Sequence, residues 1–200
     1  EEEVEIKTAF AQEINDNLRL VFDEEEVSST LSEELNDVYK KFDFKLFESN
    51  SKYRNIRLVD AVSQGLKQSM ARNSDLVIMG QDIAEYGGVF KITEGFVEEF
   101  GRDRVRNTPI SESGVIEAAY GLSVNGKKAV VELQFGDFIT SGFNPVINLL
   151  AKSHYRWGQP ADVVLRMPCG AGVGAGPFHS QTNEAWFTKT PGLKVVYPAF

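Results

Sequence analysis

The sequence predicts an α/β fold, a mostly parallel sheet with helices on both faces, preceded by an acidic helical segment. From residue 55 onward, helical patterns alternate with short apolar runs, which is typical of a parallel sheet. One run, LVIMG at 76–80, is continuously apolar, as expected for a strand buried on both faces. Acidic residues concentrate in the first 50 positions, where 15 Asp and Glu accompany 5 Lys and Arg; the other 150 carry 14 and 16.

The first 50 residues predict a helix followed by a linker. Four apolar residues recur at helical spacing and indicate an amphipathic helix: Phe10, Ile14, Leu18 and Val21. Acidic DEEEVSST follows, and a shorter apolar pattern predicts a connector with some helix from 23 to about 50: Leu31, Leu35, Val38 and Phe42. The alternative is a solvated charged tail. We therefore expect a division into 1–50, the acidic segment and linker, and 51–200, the sheet domain.

The sheet domain is predicted from alternating periodicities. Helices are expected at 58–70, 94–100, 111–124, 141–157 and 182–188, and strands at 76–80, 104–107, 129–134, 162–167 and 193–197. Ligands of such sheets bind beyond the carboxyl ends of the strands. Four unusual loops follow strands and should gather at that edge: GQDIAEYGGVFKITEG, NTPISESG, QFGDF and MPCGAGVGAGPFHSQ.

Composition excludes several classes of function. A net charge of −8 and a pI near 4.9 argue against a nucleic-acid partner, because no basic patch could neutralise phosphates. No apolar run reaches the roughly 18 residues of a membrane helix. The single cysteine, Cys169, rules out a disulfide framework, and two histidines with one cysteine cannot build a zinc cluster. The chain begins EEEVEIK, without Met or a signal-peptide pattern, so we expect a piece of a longer protein.

The glycine-rich loop is a weak match to a dinucleotide fingerprint. Gly170, Gly172 and Ala175 fit G-x-G-x-x-A after a strand. Pro177, however, falls where the helix should be under way, and no Asp or Glu lies about 20 residues further on. The sequence contains no G-x-x-x-x-G-K-[ST] phosphate loop either.

Glu112 has two interpretations. A glutamate in the first turn of a helix is favoured by the helix dipole. A capping box, however, would put the acid three residues after the cap, and with Ser111 as the cap that residue is Gly114. The small neighbours Ser113, Gly114 and Ala118 would let a flat ligand approach, so a catalytic role is the competing hypothesis.

The two histidines are predicted to differ. His179 ends the glycine-rich loop at the expected ligand edge, although a lone loop histidine is more often a surface or structural residue. His154 lies in a predicted helix and is interpreted as structural, and Cys169 as an inert small residue.

Taken in order, several motifs resemble the β-chain of the 2-oxo acid dehydrogenase E1 components, the thiamine-diphosphate enzymes of the pyruvate and branched-chain complexes. The motifs are GQDIAEYGGVFKITEGFVEEFGRDRVRNTPISESG, ELQFGDFI, AKSHYRWG, FHSQ and TPGLKVVYPAF, and the resemblance covers residues 55–200. It is greatest to 2-oxoisovalerate dehydrogenase. Residues 1–50 resemble the tail of an α-chain and a linker, as in enzymes whose two chains are fused.

The resemblance implies a pyrimidine-binding domain of the thiamine-diphosphate fold and a role for five residues. Glu112 matches the glutamate that hydrogen-bonds N1′ of the aminopyrimidine ring, and Ile110 the aliphatic residue beside it. Gln134 matches a glutamine in the cofactor and substrate pocket. Phe138 matches an aromatic residue packed against the pyrimidine, a tyrosine in mammalian branched-chain enzymes. His179 matches the histidine implicated in lipoyl acylation or in orienting the intermediate.

It also implies cofactors and partners. Thiamine diphosphate would bind with Mg²⁺, which relatives hold through a G-D-G…N motif on the α-chain; this sequence has only Gly136-Asp137-Phe138 and so no metal ligands of its own. Expected partners are an α-type domain, a lipoyl-bearing acyltransferase, a 2-oxo acid and further copies in an oligomer. Some relatives have a monovalent cation site of backbone carbonyls near 161–164. The chain alone, which stops before the end of the relatives' domain, is expected to be inactive.

Three hypotheses for function remain open. The first is an E1 component for branched-chain 2-oxo acids, in the bacterial cytoplasm or, alternatively, the mitochondrial matrix. The second is a pyruvate or acetoin dehydrogenase of the same superfamily. The third is a noncatalytic β-like scaffold, which would need none of Glu112, Gln134 and His179.

Overall fold

The computed structural model describes residues 2–43 and 54–198. Contacts divide the chain into two units, residues 1–34 and residues 35–200. None of the described helices is both long enough and apolar enough to cross a bilayer.

The first unit is helical, as predicted. Helix α1 spans Glu2–Asp23, and its apolar residues are all exposed. Helix α2 (Leu31–Asp37) begins in this unit with a reciprocal cap. The Thr30 N–H donates to Glu33 Oε2 at 2.7 Å, and the Glu33 N–H donates to Thr30 Oγ1 at 3.3 Å. The Thr30 hydroxyl, which donates to Glu33 Oε2 at 2.7 Å, and the Thr30 N–H lower the pKa of the Glu33 carboxyl, because both bonds favour its ionised form.

The second unit contains a four-stranded parallel sheet, which confirms the predicted fold class. Its strands are β1 (Leu76–Gly80), β2 (Val105–Asn107), β3 (Lys128–Glu132) and β4 (Val163–Arg166), in the order β2-β1-β3-β4. The fully buried β1 lies between β2 and β3, as its continuous apolar run requires. Strand β1 has its predicted length, and the other three strands are one or two residues shorter than predicted.

Helices cover both faces of the sheet because side chains alternate along each strand. One face packs on α5 (Glu112–Val124), with a core that includes Val77, Met79, Val131, Ile116 and Ala119. The other packs on α3 (Leu58–Arg72) and α4 (Phe96–Phe100), with a core that includes Ile78, Val130, Met70, Phe96 and Val105.

The helix predicted at 141–157 is wrong as a single element. The segment contains a 3₁₀ turn (Gly136–Gly142), a π-helical turn (Pro145–Leu150) and the short helix α6 (Ser153–Trp157). Pro145 has no N–H to donate, so it cannot continue a regular helix from the preceding turn. Gly142 lies so close to α5 that a Cβ there would be 2.6 Å from Ile116 Cδ1.

Two further elements were predicted wrongly near the end of the described chain. The helix expected at 182–188 is a single 3₁₀ turn, Glu184–Trp186. No strand forms at 193–198, where the residues from Lys194 onward are exposed and pair with no described strand. An apolar run becomes a strand only where a sheet edge accepts its backbone, and sequence does not show that edge.

The connector residues 35–43 pack on the sheet domain within the second unit. The Tyr39 hydroxyl donates to the Leu193 carbonyl oxygen at 3.3 Å. His154 Nδ1 lies 2.9 Å from the Asp37 carbonyl oxygen, a contact that suits the structural role predicted for His154. Whether a domain boundary falls near residue 50 stays a prediction, because 44–53 lie outside the described residues.

Candidate active site

The loops that follow the strands meet at the carboxyl edge of the sheet. Asn107, the last residue of β2, accepts the Ala84 N–H with Oδ1 at 2.8 Å and donates to Glu85 Oε2 at 3.0 Å. These two bonds tie the loop after β1 to the end of β2. The loops after β3 and β4 are tied by the Gly136 N–H, which donates to the Pro168 carbonyl at 2.7 Å.

Glu112 is the first residue of α5 and lies at this edge. Ser111 precedes it as the N-cap residue, and its side chain makes no capping hydrogen bond. The half-buried Glu112 carboxylate faces the loop after β1, where Gln81 Nε2 lies 3.4 Å from Oε1. At that length the bond is weak, so the carboxylate keeps most of its capacity to accept a hydrogen bond.

The N-terminus of α5 is fixed to the turn that follows β3. Ser113 Oγ donates to the Ser141 carbonyl at 2.6 Å. A Cβ placed on Gly142 would lie 3.5 Å from Glu112 Cβ, so the glycine lets this turn lie directly against the glutamate. The turn also carries Phe138, and the packing therefore places an acid and an aromatic ring on neighbouring elements.

Phe138 and His179 belong to a cluster of perpendicular aromatic rings. The centroid of the His179 ring lies 5.4 Å from that of Phe138 and 4.9 Å from that of Phe135. The two phenylalanine rings are 5.7 Å apart, and Phe90 joins at 5.9 Å from Phe135. All four contacts are edge-to-face, the geometry that aromatic rings prefer. The structure thus brings together two predicted site residues from loops 41 positions apart.

The other two predicted residues are placed differently. The Ile110 side chain is 83% exposed and lies outside the aromatic cluster. Gln134 is half-buried, directly before Phe135, and makes no side-chain hydrogen bond within residues 2–43 and 54–198. The roles of all five residues stay predictions.

Sequence reasoning missed three neighbours of these residues. Gln81 faces Glu112, and Phe90 and Phe135 complete the aromatic cluster. All three lie in strand-end loops that the sequence had singled out. Position after a strand was therefore a usable signal, whereas residue type alone did not distinguish them from core residues.

A buried ion pair lies at the ends of β3 and β4. Glu132 is 4% exposed, and its Oε2 lies 2.8 Å from Nη1 of Arg166, its neighbour across the ladder. The two atoms are close enough for an ion pair but are not aligned as a hydrogen bond. Burial raises the pKa of the Glu132 carboxyl, and Arg166 partly offsets this rise. The other oxygen of Glu132 faces Gly88, where a Cβ would lie 3.1 Å away.

No phosphate or metal site stands out in the part of the chain that the structure describes. The glycine-rich loop leads into a three-residue 3₁₀ turn, Ala171–Val173, instead of the helix that a dinucleotide site requires. Within residues 2–43 and 54–198, no group of three or more His, Cys, Asp and Glu side chains could hold a metal ion.

Comparison with known proteins gives one family. The sequence profile of the transketolase pyrimidine-binding domain matches residues 54–199. The β subunit of 2-oxoisovalerate dehydrogenase from Bacillus subtilis is 40% identical over 145 residues, 70% of this chain and 44% of that protein. The β subunit of the pyruvate dehydrogenase E1 component from Leifsonia xyli is 37% identical over 156 residues, 77% of this chain and 46% of that protein.

A mitochondrial 2-oxoisovalerate dehydrogenase β subunit from Chaetomium thermophilum is 40% identical over 154 residues, 74% of this chain and 32% of that protein. The chain thus spans less than half the length of these relatives. The predicted resemblance to E1 β-chains is confirmed. With a profile match over most of its length and a parallel α/β sheet, the chain belongs to the transketolase pyrimidine-binding domain family.

Proposed function

We propose that this chain is the pyrimidine-binding part of a thiamine-diphosphate-dependent 2-oxo acid dehydrogenase, the E1 component of a multienzyme complex. The observation that carries the proposal is the position of Glu112, a partly exposed carboxylate at the start of α5. It faces the carboxyl edge of the sheet, and among residues 2–43 and 54–198 its carboxylate has only a long contact, to Gln81. The β-subunit relatives at 37–40% identity support the assignment.

The residues at this edge fit an aminopyrimidine ring. Glu112 can share a proton with a ring nitrogen, because its oxygens are acceptors and are only partly occupied. Gly114, in the same helical turn, is exposed, and the Ser111 hydroxyl lies against it, 2.8 Å from where a Cβ would be. Phe138 offers a partly exposed aromatic ring on the adjoining turn. Thiamine diphosphate, when bound, supplies an acidic thiazolium carbon and an electron sink for decarboxylation.

Each of the five predicted residues of the chain would then have a separate role. Glu112 would hold a proton at N1′ of the pyrimidine, and protonation there favours the imino form of the ring's amino group, whose nitrogen is the base. Phe138 packs against the ring and Ile110 lies beside it, while Gln134 binds within the pocket. His179, held at the rim by Phe135 and Phe138, orients the acyl group or exchanges a proton during its transfer to a lipoyl group.

A second surface is needed to complete this site. Ile110 is 83% exposed and the Glu112 carboxylate is half-buried, so in the chain alone water reaches both. A proton shared with a ring nitrogen is held more firmly when water is excluded. An α-type domain that covers this edge and supplies Mg²⁺ and the diphosphate site is the partner proposed here. A lipoyl-bearing acyltransferase is the proposed acceptor, and the isolated chain is expected to be inactive.

Branched-chain 2-oxo acids are the proposed substrates, with pyruvate as the second candidate. The B. subtilis 2-oxoisovalerate dehydrogenase β subunit is 40% identical, and a pyruvate dehydrogenase β subunit from Staphylococcus epidermidis is equally so. Sequence identity therefore does not separate the two. Turnover of 2-oxoisovalerate, pyruvate and acetoin by the full-length protein separates them directly.

The role of Glu112 is tested by the exchange of the C2 proton of thiamine diphosphate for deuterium. The full-length protein with Mg²⁺ is compared with Glu112→Gln and with Glu117→Gln, an exposed glutamate on the same helix. We expect exchange in Glu112→Gln to slow by about 10²–10⁴-fold, the usual contribution of a positioned acid or base, and Glu117→Gln to match the wild type. Exchange at the wild-type rate in Glu112→Gln, with cofactor bound, would leave only the helix-dipole role for this residue.

A further inference from the structure

We propose that Asp137 and Asn183 are positioning residues that fix the His179 loop against the turn carrying Phe138. The chemistry assigned to His179 rests on the proposed function, but the geometry of the two residues does not. Asp137 belongs to the 3₁₀ turn after β3, and Asn183 lies four residues beyond His179. Both polar side chains are buried, at 7% and 6% exposure.

The His179 loop, residues 169–183, has little structure of its own. Residues 171–178 are all exposed, and its one regular element is the three-residue turn Ala171–Val173. The Gly170 N–H donates to the Gln181 carbonyl at 3.1 Å, which closes the loop across its base. An exposed loop of this kind takes its position mainly from the contacts at its base, because its tip is open to solvent.

The two buried side chains join this base to the turn in opposite directions. Asn183 Nδ2 donates from the loop to the Gly136 carbonyl of the turn at 3.0 Å. Asp137 Oδ1 accepts, on the turn, the Gln181 N–H of the loop at 3.3 Å. Each bond therefore uses a side chain of one segment and the backbone of the other. The pair fixes both the separation and the register of the two segments.

The consequence falls on His179, two residues before Gln181. Its ring meets the rings of Phe138 in the turn and of Phe135 directly before the turn. Shifting the base of the loop would move the imidazole relative to Phe138, the ring proposed to pack on the cofactor. Buried polar groups are costly unless paired, so the two residues hold this arrangement more strictly than exposed ones would.

The chemistry of the pair provides loss variants and a conservative one. Asn183→Asp replaces the donor with an oxygen that would face the Gly136 carbonyl. Asp137→Leu removes the acceptor for the Gln181 N–H. Asp137→Asn keeps an acceptor oxygen, and because Asp137 Oδ2 has no partner in the described part of the chain, an amide there breaks no bond. Asn125→Asp makes the same chemical change as Asn183→Asp at an exposed site and is the matched control.

Hydrogen–deuterium exchange of the full-length protein without cofactor tests the positioning directly. We expect peptides covering 170–182 to exchange about tenfold faster in Asn183→Asp and Asp137→Leu, as expected when a buried hydrogen bond loses its partner. Peptides from β1 and α5 should be unchanged, and Asp137→Asn and Asn125→Asp should match the wild type. Unchanged exchange at 170–182 in both loss variants overturns the proposal, as does loss of protection throughout the domain in both.

A second readout separates positioning from local order. Decarboxylation is measured with ferricyanide as electron acceptor, and acyl transfer is measured with a lipoyl domain. We expect the loss variants to lower kcat for transfer about tenfold while decarboxylation changes less than twofold. Equal effects on both reactions would refute a specific role through His179. If Glu112→Gln exchanged the C2 proton of thiamine diphosphate at the wild-type rate, the proposed function would be refuted. The amide exchange measured at 170–182 would still test the positioning of the loop.

Discussion

The buried pair of Glu132 and Arg166 allows a stability prediction that depends on pH. Arg166→Met keeps an apolar chain of similar length and removes the charge that faces Glu132 at 2.8 Å. The carboxyl, 4% exposed, is then left without its partner. Breaking a buried pair in this way costs about 3–5 kcal/mol. Arg166 is itself only 19% exposed, so solvent screening does little to reduce that figure.

The sign of the pH dependence follows from the raised pKa of Glu132. Its carboxyl is harder to ionise in the folded chain than at its ordinary pKa of 4.5, because burial is the largest cause and outweighs Arg166. A carboxyl of this kind contributes stability that is present below pH 4.5 and is lost as pH rises through the folded pKa. Removing Arg166 raises that pKa further. We therefore expect Arg166→Met to be more destabilising at pH 8 than at pH 5.

Urea denaturation followed by tryptophan fluorescence measures this effect. Both tryptophans, Trp157 and Trp186, lie in the second unit, so their signal does not report on the acidic helix. We expect a loss of about 3 kcal/mol at pH 8 and clearly less at pH 5, and recovery of most of the loss in the double variant with Glu132→Gln. A loss below about 1 kcal/mol at pH 8, or the same loss at both pH values, would refute the reasoning.

Two other predictions concern the sheet domain and the connector. Gly192 has φ +91°, and a Cβ there would overlap the Ala151 carbonyl oxygen, so Gly192→Ala should lower the free energy of unfolding by about 2–4 kcal/mol. Gly65 lies in open space on α3, so Gly65→Ala should raise the free energy of unfolding by about 0.5–1 kcal/mol. The urea assay compares them, and equal effects would contradict the steric argument. Tyr39→Phe removes the hydrogen bond to the Leu193 carbonyl, so trypsin should cleave at the adjacent lysines about fivefold faster. Mass spectrometry measures the cleavage rate, and an unchanged rate would show that this bond does not hold the connector.

The sheet was predictable from sequence because its strands are short, apolar and separated by helices. The apolar side chains of LVIMG are all removed from water only where both faces of the strand are covered, and β1 is buried throughout. The run LKVVY looked similar and forms no strand. The difference lies in the neighbours: β1 has β2 and β3 on either side, while residues 194–198 are exposed and follow Gly192, whose φ of +91° turns the chain. Whether a strand finds a neighbour to pair with depends on the tertiary structure, and the hydrophobic periodicity of the sequence does not show it.

The candidate site shows the same limit at the scale of single side chains. Phe138 was predicted from family resemblance, whereas Phe135, in the same QFGDF loop, was assigned no role; the strand before it was predicted to end at Gln134. The strand, however, ends at Glu132, and a 3₁₀ turn begins at Gly136, directly after Phe135. Phe135 is the N-cap residue of this turn, and its carbonyl oxygen accepts the Phe138 N–H at 3.2 Å. Phe135 and Phe138 are three apart, and their rings meet at 5.7 Å.

The turn also accounts for the different directions in which residues 135–138 face. With Phe135 and Phe138 on one side of the turn, Gly136 and Asp137 are left to face the base of the His179 loop, where they meet Asn183 and Gln181. The four residues 135–138 thus present an aromatic surface in one direction and a polar attachment in the other. Recognising the turn, more than recognising the residues, is what the site required.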